Sequence, residues 1–397
     1  MKKAGQSCRK HESLMDRRLR RHRFHQVCIS LARVLLGPLI KRIYAFRTDR
    51  PVSLDGPFLV VANHVTAVDP VLLCTSFRQQ MYIVASEHLM QKGLPSKLLR
   101  FFFDPIVRRK GDSAVSAVKE MLKCLRSGLN VCVFPEGTCS FDGTNSPMLN
   151  TIGKLAKASG AALVTYRFEG GFFTLPRWGS GIRRGFFEGH VVNRYPKEAL
   201  RAMSDAEINA HIAEDLDENA YVRQAQTRAV YKSRRRAERL ESAFFLCPSC
   251  QRIGTLETRG DAIRCSCGMH GTLDAEYRLC GLPVSTLTEW DALQNAQLRE
   301  QAEDPDFTLQ DGDTHLTETN EQHLKIPRDA GTLRMTRDAL SVGAHSFALG
   351  EITDMELVRR NLLVFSTRDA HYQISGQKTL NSRKYMLLYR ILKGAHA

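Results

Sequence analysis

Three short, uninterrupted apolar runs constrain this chain more than any other feature. They are Phe58-Leu59-Val60-Val61-Ala62, Val131-Cys132-Val133-Phe134, and the segment from Ala161 to Thr165. None shows the apolar–polar alternation of a strand with one wet face. Runs of this kind belong to strands covered on both sides, and such a sheet needs helices on each face. One helix is predicted between the first two runs, where Val115, Val118, Leu122 and Leu125 form a single face and Gly128 ends it. The expectation is an α/β domain over residues 51–240, a mixed sheet flanked by helices.

In front of that domain the charge is concentrated. Residues 1–50 carry fourteen Lys and Arg against three acids, whereas the whole chain of 397 residues has a net charge of +15. The basic block therefore speaks of an anionic surface met at one place, lipid or nucleic acid. From Phe24 to Phe46, the polar or small positions Gln26, Ser30, Arg33, Gly37 and Lys41 form a narrow stripe. Val27, Leu31, Val34, Leu35, Leu39 and Ile43 fill the rest. A broad apolar face with cationic flanks suits a helix lying in the membrane interface, kinked at Pro38. The longest apolar run, Val27 to Ile40, is broken by Arg33 and Gly37-Pro38. It falls short of the ~20 residues a membrane span needs. No secretory leader is read at the N-terminus.

Eleven cysteines, seven of them scattered singly, fit a reducing compartment with one metal site. The other four form two knuckles, Cys247-Pro248-Ser249-Cys250 and Cys265-Ser266-Cys267, with fourteen residues between them. Four thiolates so arranged complete a tetrahedral shell, so a structural zinc held by Cys247, Cys250, Cys265 and Cys267 is expected in a zinc ribbon over residues 241–285. His270 is a conceivable substitute ligand. Residues 216–240 read as a basic helix or linker. Residues 286–328, rich in acids, read as a linker, and residues 329–397 as a small β-rich domain of pleckstrin-homology type closed by a helix from Ser382 to Leu392.

Two blocks carry chemistry. The run ending at Ala62 continues into Asn63-His64-Val65-Thr66-Ala67-Val68-Asp69-Pro70. The ends of buried strands are where α/β folds place their sites. Five residues apart on one regular helix, His64 and Asp69 would point ~140° apart. They meet only if His64 lies in a loop and Asp69 in the turn entering the next helix. Asp69 then accepts the Nδ1 proton, leaving Nε2 to take one from a hydroxyl. The run ending at Phe134 continues into Pro135-Glu136-Gly137-Thr138-Cys139-Ser140, which places Glu136 and the hydroxyls of Thr138 and Ser140 at the same crevice. Cys139 is expected to be a neutral, packing thiol.

Together these blocks, with Pro105-Ile106-Val107-Arg108-Arg109-Lys110-Gly111 between them, resemble the glycerolipid acyltransferase family over residues 50–190. The resemblance implies His64 as general base oriented by Asp69, Arg109 (or Arg108, one residue away) gripping an acceptor phosphate, and Glu136, Gly137 and Thr138 shaping the acceptor subsite. It also implies an acyl thioester donor, acyl-CoA or acyl carrier protein, and a lysophospholipid acceptor, most simply 1-acylglycerol-3-phosphate, at the cytoplasmic face of a membrane. The sequence departs from the family at Cys139, where an Arg is usual, and in Leu163-Val164-Thr165-Tyr166-Arg167, which lacks the usual Pro. Arg167 or Arg177 is then expected to supply the missing cation. A second class of function is a zinc-ribbon adaptor binding an anionic polymer or membrane, with a degenerate acyltransferase-like domain. The apolar face of residues 27–43 argues against it, because nucleic acid does not require one, and no nucleic-acid partner is expected.

Overall fold

The computed structural model describes residues 14–86, 90, 93–108, 114–319, 324–358, 360–377 and 379–394. Two helices come first, α1 (Leu14–Leu35) and α2 (Gly37–Tyr44). They replace the single kinked helix expected over 24–46. Pro38 sits in the first turn of α2, where its missing N–H leaves no bond unmade. The polar stripe faces inward: Gln26 bonds the Arg78 carbonyl and the Gln80 amide at 2.9 and 2.7 Å, and Arg33 donates to the Phe77 and Arg78 carbonyls, both at 2.9 Å. Val27, Leu31, Val34, Leu35, Leu39 and Ile43 are left exposed. Not all the basic block is free for a surface, since Arg18 is buried between Asp104 and Glu120 at 3.0 and 2.7 Å.

Seven strands follow: β1 (Phe46–Thr48), β2 (Phe58–Ala62), β3 (Met81–Ser86), β4 (Ile106–Arg108), β5 (Asn130–Val133), β6 (Ala162–Glu169) and β7 (Phe187–Tyr195). They form one mixed sheet in the order β1-β7-β6-β2-β5-β3-β4, antiparallel only between β6 and β7. Interleaved are α3 (Asp69–Ser76), α4 (Leu94–Phe103), α5 (Ala114–Arg126), α6 (Ile152–Ser159) and α7 (Gly171–Thr174), and after the last strand come α8 (Lys197–Ala202), α9 (Asp205–Leu216) and α10 (Ala220–Thr227). The unbroken apolar runs have a direct cause. In β2, Leu59 and Val61 enter a core with Leu125, Leu155 and Ile212, while Phe58 and Val60 enter another with Leu72, Phe77 and Phe168. Beyond α10 the expected basic helix does not continue. Residues 228–239 run irregularly, burying Tyr231 and Ala237.

The cysteine knuckles belong to a four-stranded antiparallel sheet of β8 (Leu256–Arg259), β9 (Ala262–Cys265), β10 (His270–Leu273) and β11 (Leu279–Cys280). The segment read as an acidic linker is instead structured. It contains α11 (Leu287–Gln301), opened by a capping box of Thr286 and Glu289, and β12 (Leu309–Thr319). Glu289, Glu300, Glu303, Asp304, Asp306 and Asp313 are exposed, while Trp290, Asp291, Gln294, Leu298, Leu309 and Leu316 are buried, so acid content concealed an amphipathic pattern. β12 joins β13 (Lys325–Met335), β14 (Ala339–Val342), β15 (His345–Ala348), β16 (Asp354–Val358), β17 (Leu362–Ser366) and β18 (His371–Ser375) in one antiparallel sheet, and α12 (Ser382–Leu392) closes it. Arg383 on α12 pairs with Asp291 on α11 at 2.5 and 2.9 Å, tying the β-rich unit to the rest.

Candidate active site

Register explains why the two sequence blocks meet. β2 and β5 are parallel neighbours with Val61 opposite Val133, so His64 and Glu136 each lie three residues beyond a paired position at one edge of the sheet. Asn63 clamps the departing chain to β6, donating to the Phe168 carbonyl at 2.9 Å and accepting its N–H at 2.7 Å. Asp69 opens α3 and is fully buried. Its Oδ2 accepts the amides of Val65 and Thr66 at 2.7 and 2.8 Å, and its Oδ1 accepts the Thr66 hydroxyl. The same Oδ2 lies 2.9 Å from Nδ1 of His64. The carboxylate thus closes the turn and holds the ring in one act, with Nε2 turned outward.

The second loop braces the first. Oε1 of Glu136 accepts the His64 amide at 2.9 Å, and Oε2 accepts the Ser146 amide at 2.8 Å. Ser140 N donates to the His64 carbonyl at 3.1 Å, so His64 is held on both sides of its backbone. Burial raises the Glu136 carboxyl above its usual range, against the pull of these donors. The Glu136 carboxylate thus ties the His64 loop to the Ser146 segment. Gly137 has φ +66°, the left-handed region in which a side chain would be strained.

Cys139 stands beside the catalytic candidate His64. Its Sγ lies 3.5 Å from Nε2 of His64. The Phe134 ring lies against the imidazole at 4.5 Å between centroids. Burial disfavours the imidazolium, but Cys139 and Asp69 outweigh it and hold His64 well above the ordinary value of 6.5. The one signal in the sequence was the departure from Arg at position 139.

Arg109 lies outside the described residues. Arg108 does not: it ends β4, faces Gly137, and lies 3.6 Å from Glu356 on β16. Arg177 donates to the Thr138 hydroxyl and to the Leu357 carbonyl, and lies 3.5 Å from the Cys139 carbonyl. Arg167 instead pairs with Glu169 at 3.0 Å, so of the two expected substitutes Arg177 is the one beside position 139. Beside these groups opens a cavity of about 510 Å³, with His64, Arg108 and Cys139 among its lining and apolar walls from Ile29, Leu36, Val71, Val84, Phe103 and Met121.

Elsewhere, the sulfurs of Cys247, Cys250, Cys265 and Cys267 lie within 4.8 Å of one another, with 3.9 Å from Cys247 to Cys267 and 3.8 Å from Cys250 to Cys265. A tetrahedral thiolate site with ~2.3 Å metal–sulfur bonds needs sulfurs ~3.8 Å apart, so the four fit one metal ion. His270, on β10, is not part of this group.

Residues 43–169 match the family model described as Acyltransferase. The chain is 25% identical over 140 residues, 35% of its own length, to the 1-acyl-sn-glycerol-3-phosphate acyltransferase of Borreliella burgdorferi. It spans about half of that curated relative, 54%. Among solved structures it is similar to the 1-acyl-sn-glycerophosphate (LPA) acyltransferase PlsC of Thermotoga maritima, with a TM-score of 0.38 and 18% identity, covering 50% of this chain and 93% of that one.

Proposed function

With an acyltransferase-family domain at residues 43–169 as premise, we propose that this chain moves an acyl group from an acyl thioester, acyl-CoA or acyl carrier protein, to the hydroxyl of a lysophospholipid, 1-acylglycerol-3-phosphate. The observation that carries this is the His64–Asp69 pair, 2.9 Å apart, opening on an apolar cavity of about 510 Å³ with Arg108 in its wall. An acyl chain fits such walls, a phosphate is drawn to the guanidinium, and Nε2 of His64 accepts the proton of the attacking hydroxyl. Asp69 keeps Nδ1 protonated and supports the imidazolium that forms. Arg177, near Thr138, adds the second cation at the acceptor end. Similarity to the Borreliella enzyme supports the choice of acceptor.

The domain would work from a membrane surface. Among the described residues, no helix is long and apolar enough to cross a bilayer. α1 and α2 instead turn their apolar side outward, with Leu35 and Val34 71% and 67% exposed, and Leu98, Phe101 and Phe102 of α4 extend the same kind of surface. The cysteine group would hold zinc structurally: four thiolates leave no open position for a substrate. The ten described cysteines are free thiols, in keeping with the cytoplasmic side. The test is an activity panel of lysophospholipid acceptors against palmitoyl-CoA and palmitoyl-acyl carrier protein. Transfer to 1-acylglycerol-3-phosphate is expected, and its absence from every pairing rejects the proposal.

A further inference from the structure

Cys139, His64 and Asp69 stand in a row. The thiol sulfur is 3.5 Å from Nε2, and Nδ1 of the same ring is 2.9 Å from the buried carboxylate. That is the order a cysteine nucleophile requires: a base within reach of the thiol, and a third group fixing the base in its tautomer. Among the described residues, no other cysteine lies within hydrogen-bond reach of an imidazole. Cys74, which also lines the cavity, is pushed up to about 12 by burial, and Cys132 is fully buried in the sheet. Cys139 and His64 lie together on the wall of the apolar cavity, with Phe134 and Gly137 beside them. The carbonyl of an acyl chain seated there would come to the sulfur as readily as to the acceptor.

We propose that Cys139 is a catalytic nucleophile that carries the acyl group as an S-acyl intermediate between donor and acceptor. This rests on the acyl-transfer reading above and changes its route. In the first half, Nε2 of His64 takes the Cys139 thiol proton and the sulfur attacks the donor carbonyl. The donor carbon–sulfur bond then breaks, and the departing thiolate recovers that proton from His64. One thioester replaces another, so no further reactant is needed. In the second half, the acceptor hydroxyl gives its proton to Nε2 and its oxygen attacks the acyl carbon. The bond to Cys139 breaks, and its sulfur is reprotonated by His64. Overall, thioester and alcohol become ester and thiol, but the donor thiol leaves before the acceptor is needed.

The test uses the full chain in detergent with palmitoyl-CoA and no acceptor. A hydroxylamine-labile palmitoyl adduct on the peptide containing Cys139 is expected, with a burst of free CoA of about one per chain. Cys139→Ala and Cys139→Ser should form no adduct and lose about 10²-fold or more in transfer. Independently of transfer, iodoacetamide should alkylate Cys139 near neutral pH about 10-fold faster in the wild type than in His64→Ala, because only the paired imidazole draws off the thiol proton. Slow alkylation unaffected by His64→Ala overturns the proposal. So does wild-type transfer without an adduct, with Cys139→Ala active within about a factor of two; direct transfer would then stand. An adduct with no transfer to any glycerophosphate acceptor supports the nucleophile and rejects the acceptor reading instead.

Discussion

Glu356 Oε1, on β16 of the C-terminal sheet, lies 3.6 Å from a guanidinium nitrogen of Arg108 at the mouth of the active-site cavity. A carboxylate from another part of the chain thus sits beside the cation assigned to the acceptor phosphate. Both side chains are partly exposed, 46% and 35%, so the pair is weak, on the order of 0.2–1 kcal/mol. Glu356→Gln should lower the acceptor KM by a few-fold, about what that energy allows, with kcat little changed. Arg108→Ala should raise the same KM by about 10-fold or more, as expected for loss of a charge-assisted phosphate contact. Initial rates against acceptor concentration decide both.

His64→Ala should lower turnover by about 10²–10⁴-fold, the usual contribution of a general base, measured by steady-state rates. Asp69→Asn should do harm in two ways, because the carboxylate also accepts the amides of Val65 and Thr66. A fall in both kcat and melting temperature is expected, measured by steady-state rates and a thermal melt.

The His64 ring should titrate well above 6.5, since contacts with Cys139 and Asp69 outweigh the burial that opposes its charge. A raised folded-state value means the pairing stabilises the fold below the unfolded value and is lost as pH rises through the folded one. NMR titration of the ring should show this, and Cys139→Ala should move the midpoint down. An unmoved midpoint would deny the sulfur any part in the shift.

The two tryptophans of the chain, Trp178 and Trp290, are buried in the same core cluster as Cys247 and Cys265. Stripping metal with a strong chelator should therefore shift tryptophan fluorescence to the red and lower the melting temperature. Replacing Cys247 and Cys250 by Ser should do the same and reduce bound zinc from one per chain to none, read by elemental analysis. A structural zinc shell is worth enough folding energy, ~10 kcal/mol or more in small modules, for the change to be plain.

Val34 and Leu35 face outward on α1. Changing both to Ser should weaken binding to phosphatidylcholine–phosphatidylglycerol vesicles by about 10²–10⁴-fold, from ~1.5–3 kcal/mol for each apolar side chain taken out of water. Flotation or sedimentation with the vesicles measures it. Catalysis of a detergent-dispersed substrate should be spared.

Much of the α/β domain was legible in the sequence. The run 58–62 is β2 residue for residue, because a strand buried on both faces tolerates no polar side chain. Stereochemistry set the condition for His64 to meet Asp69, a loop followed by a helix start, and the family resemblance supplied the expectation that they do; the two lie 2.9 Å apart. The four cysteines declared themselves by spacing, since sulfur ligands to one metal must cluster. Residues 287–319 were misread because a helix and a central sheet strand that carry many acids have the composition of a linker, and only the burial of Trp290 and Leu316 separates the two.

What the sequence by itself determined is local: which segments are buried strands, which side chains have the chemistry, which cysteines belong together. What only the tertiary structure decided is which of these meet. The pairing of Val61 with Val133 brings Cys139 to His64 across 75 residues of chain, and the packing of β16 brings Glu356 to Arg108. The physical reason is that such contacts are set by strand register and domain docking. Both are fixed by the sum of many buried contacts and not by the residues that come to touch.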